Sequence, residues 1–140
     1  MARGWLLDTN VLSETLRPKP DATVMRWLGG IDPEEFYVSV LTLGELRKGL
    51  LMLGNTPKRA RLARWLDESF PAWFGDRVIA IDQAVCLRWA SLLAEARRPL
   101  PAIDSLIAAS AAAHDLVVAT RNVGDFALAG VAVENPWTAT

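Results

Sequence analysis

Short apolar runs alternate along this chain with longer stretches in which apolar residues recur every three or four positions. Trp5–Leu7 is a bounded apolar run, as a strand buried on both faces requires. "NVLSETLR" has the length of a short helix stopped by "PKP", and "ATVMRWLGG" reads as a second helix ending on Gly29 and Gly30. "EFYVSV" carries the aromatic and β-branched content of a strand. In the helix predicted from "TLGELRKGLLML", Leu43, Leu46, Leu50 and Leu53 form one core-facing stripe. "TPKRARLARWLDESF" opens a helix with Thr56 as N-cap and Pro57 at the first position. "RVIAI" is a third strand, and "DQAVCLRWASLLAEA" a long helix capped by Asp82. Pro99 and Pro101 then precede the alanine-rich helix "IDSLIAASAAAH", followed by a fourth strand, "LVVAT", and a candidate fifth, "VAV". Strands alternating with helices predict an α/β fold with a parallel sheet of four to five strands, covered on both faces. No repeat or linker divides the sequence, so residues 1–140 are read as one domain.

Composition narrows the partners. The net charge is −1, so a nucleic acid would have to be held by a local basic patch or a bound metal. Cys86 is the single cysteine, which excludes an intramolecular disulfide and suits a reducing cytosol. Its setting in "QAVCLRW" predicts a buried structural thiol. "MARGWLLD" meets an acid before a leader could form, and no apolar run nears the roughly 20 residues of a membrane span. These features predict a soluble cytoplasmic protein.

Four carboxylates sit where strands give way to helices. Asp8 follows the first strand, and Glu45 is expected in the first turn of the helix after the second. Asp104 opens the alanine-rich helix, and Asp125 follows the fourth strand in "ATRNVGDF". Ligands of parallel sheets bind outside the carboxyl ends of the strands, so all four acids can converge at one edge. Singly, Asp8, Asp104 and Asp125 suit helix caps equally well, as Asp82 does, and Glu45 suits a solvated face. Thr9 and Asn10 beside Asp8, and Thr120 and Asn122 near Asp125, could orient carboxylates around a metal. An all-oxygen set favours Mg²⁺ or Mn²⁺ over zinc, and such an ion can activate water for attack at phosphorus. Other chemistries lack their motifs: GxxxxGK[ST], GxGxxG and GxSxG are absent. His114 is the only histidine, with no cysteine near it, and suits a helix C-terminus or the surface.

"LLDTNVLSE", "TLGELRKGL", "PAIDSLIAASAAAHDL" and "VATRNVGDF" follow the order and approximate spacing of PIN-domain proteins. The chain most resembles the VapC toxins of bacterial toxin–antitoxin pairs, in the FitB-like branch, through the closing "VENPW". The resemblance implies a three-layer α/β/α fold and a Mg²⁺- or Mn²⁺-dependent endoribonuclease, the toxin of a type II system. By it Asp8, Glu45, Asp104 and Asp125 match the catalytic, metal-binding acids. Thr9, Asn10, Thr120 and Asn122 match the polar residues flanking the site. "AEARRPLPAID" departs from the pattern, being shorter than the usual glycine-containing loop before the third acid. The resemblance also implies two protein partners: a second copy of the chain, and a small DNA-binding, VapB-type antitoxin.

For RNA, Arg47 and Lys48 near Glu45, and Arg121 near Asp125, are the candidate phosphate contacts. Lys58, Arg59, Arg61 and Arg64 form either a second positive area or a solvated helix face. Six tryptophans divide between core and partner surface in this reading. Two alternatives stand beside the nuclease: a PIN-fold module that binds RNA without cutting it, and a metal-dependent phosphatase. The haloacid-dehalogenase form of the latter needs an aspartate where Asn10 stands.

Overall fold

Strands β1 (Trp5–Leu7), β2 (Phe36–Ser39), β3 (Val78–Ile79), β4 (Val117–Ala119) and β5 (Val133–Glu134) form one sheet in the order β3-β2-β1-β4-β5. Every neighbouring pair is parallel. The computed structural model describes residues 4–140; Met1–Arg3, the start of "MARGWLLD", lie outside them.

Register explains why these runs are apolar throughout. Leu6 aligns with Tyr37 and Val118, and Leu7 with Val38 and Ala119. Because side chains alternate along a strand, the two rows enter opposite cores. Leu7, Val38 and Ala119 pack with Val11 and Leu12 of α1 (Thr9–Thr15), Val24 of α2 (Ala22–Gly29) and Leu46 and Leu50 of α3 (Val40–Met52). Leu6, Ile79 and Val118 pack with Val85 and Leu92 of the later helix Gln83–Ala96, and with Ile107 of the alanine-rich helix. The fold is a three-layer α/β/α sandwich. Full burial of Leu6 and Leu7 contributes about 1.5–3 kcal/mol each.

Between α3 and β3 lie α4 (Pro57–Arg64), a π-helical turn (Trp65–Ser69) and α5 (Phe70–Phe74). The sequence predicts one helix through this region. The π turn stands just before Pro71, whose ring lacks the N–H that a regular helix needs there. After β3 come α6 (Gln83–Ala96), α7 (Ala102–Ala113) and, between β4 and β5, α8 (Val123–Leu128). Six residues of α8 lie in "ATRNVGDF" and beyond, where no periodic pattern announces a helix. α7 rests on α6, with Ala108, Ala109 and Ala111 fully buried, so its alanines serve close approach as well as propensity.

One expectation needs correction. Cys86 is exposed, because the buried stripe of α6 runs through Val85 and Leu92 and leaves its neighbour outside. The six tryptophans are all half-buried: Trp5, Trp27, Trp65, Trp73 and Trp137 pack on one core and Trp89 on the other. No helix among the described residues is long and apolar enough to cross a membrane.

β1 is central, and the chain moves from it first toward β2 and β3, later to β4 and β5. The reversal lies between β1 and β4. In open parallel sheets the ligand crevice forms at that switch point, beyond the strands' carboxyl ends.

Candidate active site

Asp8 stands at the switch point. Its amide donates to the Ala119 carbonyl at 2.9 Å, extending the β1–β4 ladder past the end of β1. Its carboxylate accepts from the Thr9 amide at 2.8 Å, as the N-cap of α1, and from the buried Thr120 hydroxyl at 2.7 Å. Asn10 stitches the same two connections together. Its Nδ2 donates to Thr120 Oγ1 at 3.1 Å and lies 3.4 Å from Asp8 Oδ2, while its Oδ1 accepts from the Arg121 amide at 3.3 Å.

The other acids arrive from three helices. Ser39 ends β2 and caps α3, its Oγ accepting from the Leu41 amide at 3.0 Å. The helix therefore begins at Val40, and Glu45 falls in the second turn instead of the first. Glu45 Oε1 accepts from the Thr9 hydroxyl at 2.7 Å. Asp104 lies in the first turn of α7 and Asp125 in that of α8. Asn122 spans these two, its Nδ2 donating to Oδ2 of each at 2.9 Å. The acids thus form two tethered groups: Asp8 with Glu45 through Thr9, and Asp104 with Asp125 through Asn122.

Only 6% of the Asp8 surface is exposed. Burial raises its carboxyl above the ordinary 3.8, and the charges of Asp104 and Glu45 push it further; the bonds from Thr120 and Thr9 pull it partly back. Asp104 is raised as well, by burial first and then by Asp125 and Glu45, against the Asn122 bond. Among the described residues, no three acids or other ligating side chains are drawn together tightly enough to hold an ion unaided.

Asp8, Glu45 and Asp104 line an open cleft of about 540 Å³, with Asn10, Asn122 and Arg121 beside them. Arg17 and Trp137 also line it, and so do Ser13 and Glu14. Sequence reasoning passed over these four, since each lies remote from the motifs or outside their polar core. Glu14 is buried and accepts from the Asp21 amide at 2.9 Å, which fixes the turn after α1. Arg47 and Lys48 do not line the cleft; Arg47 faces Asp67 at 3.1 Å on the surface. Lys58, Arg61 and Arg64 are exposed on α4 away from it, and Arg59 donates to the Leu53 carbonyl.

The PIN domain family model matches residues 5–130, which include all four acids and both stitched connections. This chain belongs to the PIN-domain family. Within that family its place is the VapC-type, FitB-like branch. It is 42% identical over 135 residues to toxin FitB of Neisseria gonorrhoeae, covering 94% of this chain and 97% of the relative. It is 37% identical over 136 residues to VapC ribonuclease Y4jK of Sinorhizobium fredii, with 94% and 96% covered. The solved structure of FitAB bound to an IR36 DNA fragment aligns with a TM-score of 0.92, at 38% identity, over 97% of either chain. In this PIN domain the fold brings Asp8, Glu45 and Asp104 to the cleft at the switch point, and Asp125 joins Asp104 through Asn122.

Proposed function

We propose that this PIN-domain protein is an endoribonuclease dependent on Mg²⁺ or Mn²⁺, and the toxin of a type II toxin–antitoxin pair. The reading rests on one observation: three carboxylates from three elements, Asp8, Glu45 and Asp104, line one cleft, with Asp8 almost wholly buried and Asp125 tied to Asp104 through Asn122. Buried like charges are unfavourable unless a cation shares their space. Their donors are all oxygen, which suits Mg²⁺ or Mn²⁺. Mg²⁺ takes one or two carboxylates directly and keeps several waters, so a tighter cage is not required.

Asp8 and Asp104 would hold the ion, and Glu45 and Asp125 would complete its surroundings directly or through water. When bound, such an ion acidifies a water and offsets charge developing on the phosphoryl oxygens. The protein's own groups do the rest. Thr120, Thr9 and Asn10 fix the Asp8 carboxylate, and Asn122 sets the distance between Asp104 and Asp125. Glu45 or Asp125 would accept the proton of the attacking water, through a second water. Arg121, in the cleft, meets an RNA phosphate.

Similarity to toxin FitB and VapC ribonuclease Y4jK supports toxin and ribonuclease activity. A net charge of −1 is poorly suited to DNA, whereas the FitAB assembly was solved on DNA. A DNA-binding antitoxin is therefore proposed as partner, together with a second copy of this single-domain chain, in the cytoplasm. Cleavage of cellular RNA by the purified chain with Mg²⁺ or Mn²⁺ tests the reading. Asp8→Asn and Asp104→Asn should each lose about 100-fold or more in rate while circular dichroism stays native. Full cleavage by both variants, or by the native chain in excess EDTA, would sink it.

A further inference from the structure

Arg121 sits between Thr120, whose hydroxyl holds Asp8, and Asn122, whose amide holds Asp104 and Asp125. It lines the same cleft as the acids. A flexible cation so placed would ordinarily fold onto the carboxylates. It does not: the ion pairs among the described residues are Arg17–Glu14 and Arg47–Asp67. Instead the Arg121 guanidinium carbon lies 5.1 Å from the centroid of the Trp137 ring.

That ring is firmly mounted. Trp137 packs against the core that contains Leu7, Val11 and Leu12, and its amide donates to Asn135 Oδ1 at 2.9 Å. Pro136 beside it is buried. The Arg121 backbone is pinned from the other side by Asn10. At a partly exposed site, a cation over an aromatic face is worth as much as an ion pair. A planar guanidinium stacks well on a ring and keeps its N–H edge free for a phosphate.

We infer that Trp137 is a positioning residue: it diverts the Arg121 guanidinium from the acidic centre, leaving the carboxylates for a divalent cation and the guanidinium for RNA. The inference rests on the metal-dependent reading above. Without the ring, Arg121 turns inward and competes with the cation for the same oxygens.

Calorimetric titration with Mn²⁺, without RNA, separates the two. Trp137→Leu should weaken Mn²⁺ binding roughly two- to fivefold, while Trp137→Phe, which keeps an aromatic face, stays near native. The double variant Trp137→Leu/Arg121→Gln should return to native affinity, because the competing cation is gone. Lost packing alone would leave it as weak as the single variant. Trp137→Met serves in the same comparison if Trp137→Leu does not fold. In RNA cleavage at saturating Mn²⁺, Arg121→Gln should raise KM roughly tenfold with kcat nearly unchanged. Equal Mn²⁺ affinity in native and ring-deleted chains, or no recovery in the double variant, overturns the inference and leaves the metal reading intact. A native chain that binds no Mn²⁺ overturns both.

Discussion

Burial of a carboxylate among other carboxylates gives Asp8 a stability effect of definite sign. Its folded-state pKa is raised above 3.8, chiefly by burial. Between 3.8 and the raised value the native state binds more protons than the unfolded chain, so stability falls as pH rises through this window and stays lower above it. Asp104 acts in the same direction. Asp8→Asn removes the charge, and its amide can still face the Thr9 N–H and the Thr120 hydroxyl. Metal-free Asp8→Asn should therefore melt above the native chain at pH 7, and the difference should shrink as pH drops below 3.8. Mn²⁺ should raise the native melting temperature and leave the variant's unmoved. A variant that melts below native at pH 7 would contradict the burial argument. On the proposed function, a site needed for chemistry is kept at the expense of stability.

Among elements, β1 carries the most consequence, because it has neighbours on both sides and ends on Asp8. Its entry is tight. A Cβ on Gly4 would stand 2.3 Å from the Glu35 carbonyl oxygen, a backbone atom just ahead of β2. Gly4→Ala should force β1 and β2 apart and cost about 1–3 kcal/mol, read as a lower urea midpoint at unchanged slope. A midpoint equal to native would show that this approach is not rigid. The π turn before Pro71 and the short helix α8 have a lesson of the opposite kind. Periodicity in "TPKRARLARWLDESF" correctly signals a helix but cannot register the extra residue that a π turn accommodates. For α8, six residues are too few for periodicity to emerge, and Asn122 at its start makes no capping bond because its side chain is committed to Asp104 and Asp125.

Over the whole molecule, charge limits how RNA can be held. With a net charge of −1, the cationic groups that line the cleft are Arg17 and Arg121. Each phosphate contact to single-stranded RNA contributes about −0.7 to the slope of log affinity against log salt. Two contacts give roughly −1.4, and Arg121→Gln should reduce that magnitude by about 0.7, measured by fluorescence anisotropy on a catalytically inert Asp8→Asn background. A much steeper native slope would mean that the basic face of α4 takes part. Arg47 and Lys48 illustrate why sequence proximity misled here. They neighbour Glu45 in the chain, yet on α3 successive residues point about 100° apart, and Arg47 turns to Asp67.

Local patterning was enough to locate the apolar strands, the N-caps at Thr56 and Asp82, and the acids that end on the strands' carboxyl side. Those features depend on neighbours within a few residues, so they are written along the chain. Asp8 and Asp82 look alike at that range, since each follows a strand and caps a helix. Their difference arises from strand order. Asp8 ends the central strand at the β1–β4 reversal, where Thr120 and the acids of α3 and α7 close around it; Asp82 follows β3, at the sheet's edge, where it stays exposed. The pairing of Arg121 with Trp137 is equally a product of the tertiary fold, because fifteen residues of chain separate them and β5 returning beside β4 brings the ring under the guanidinium.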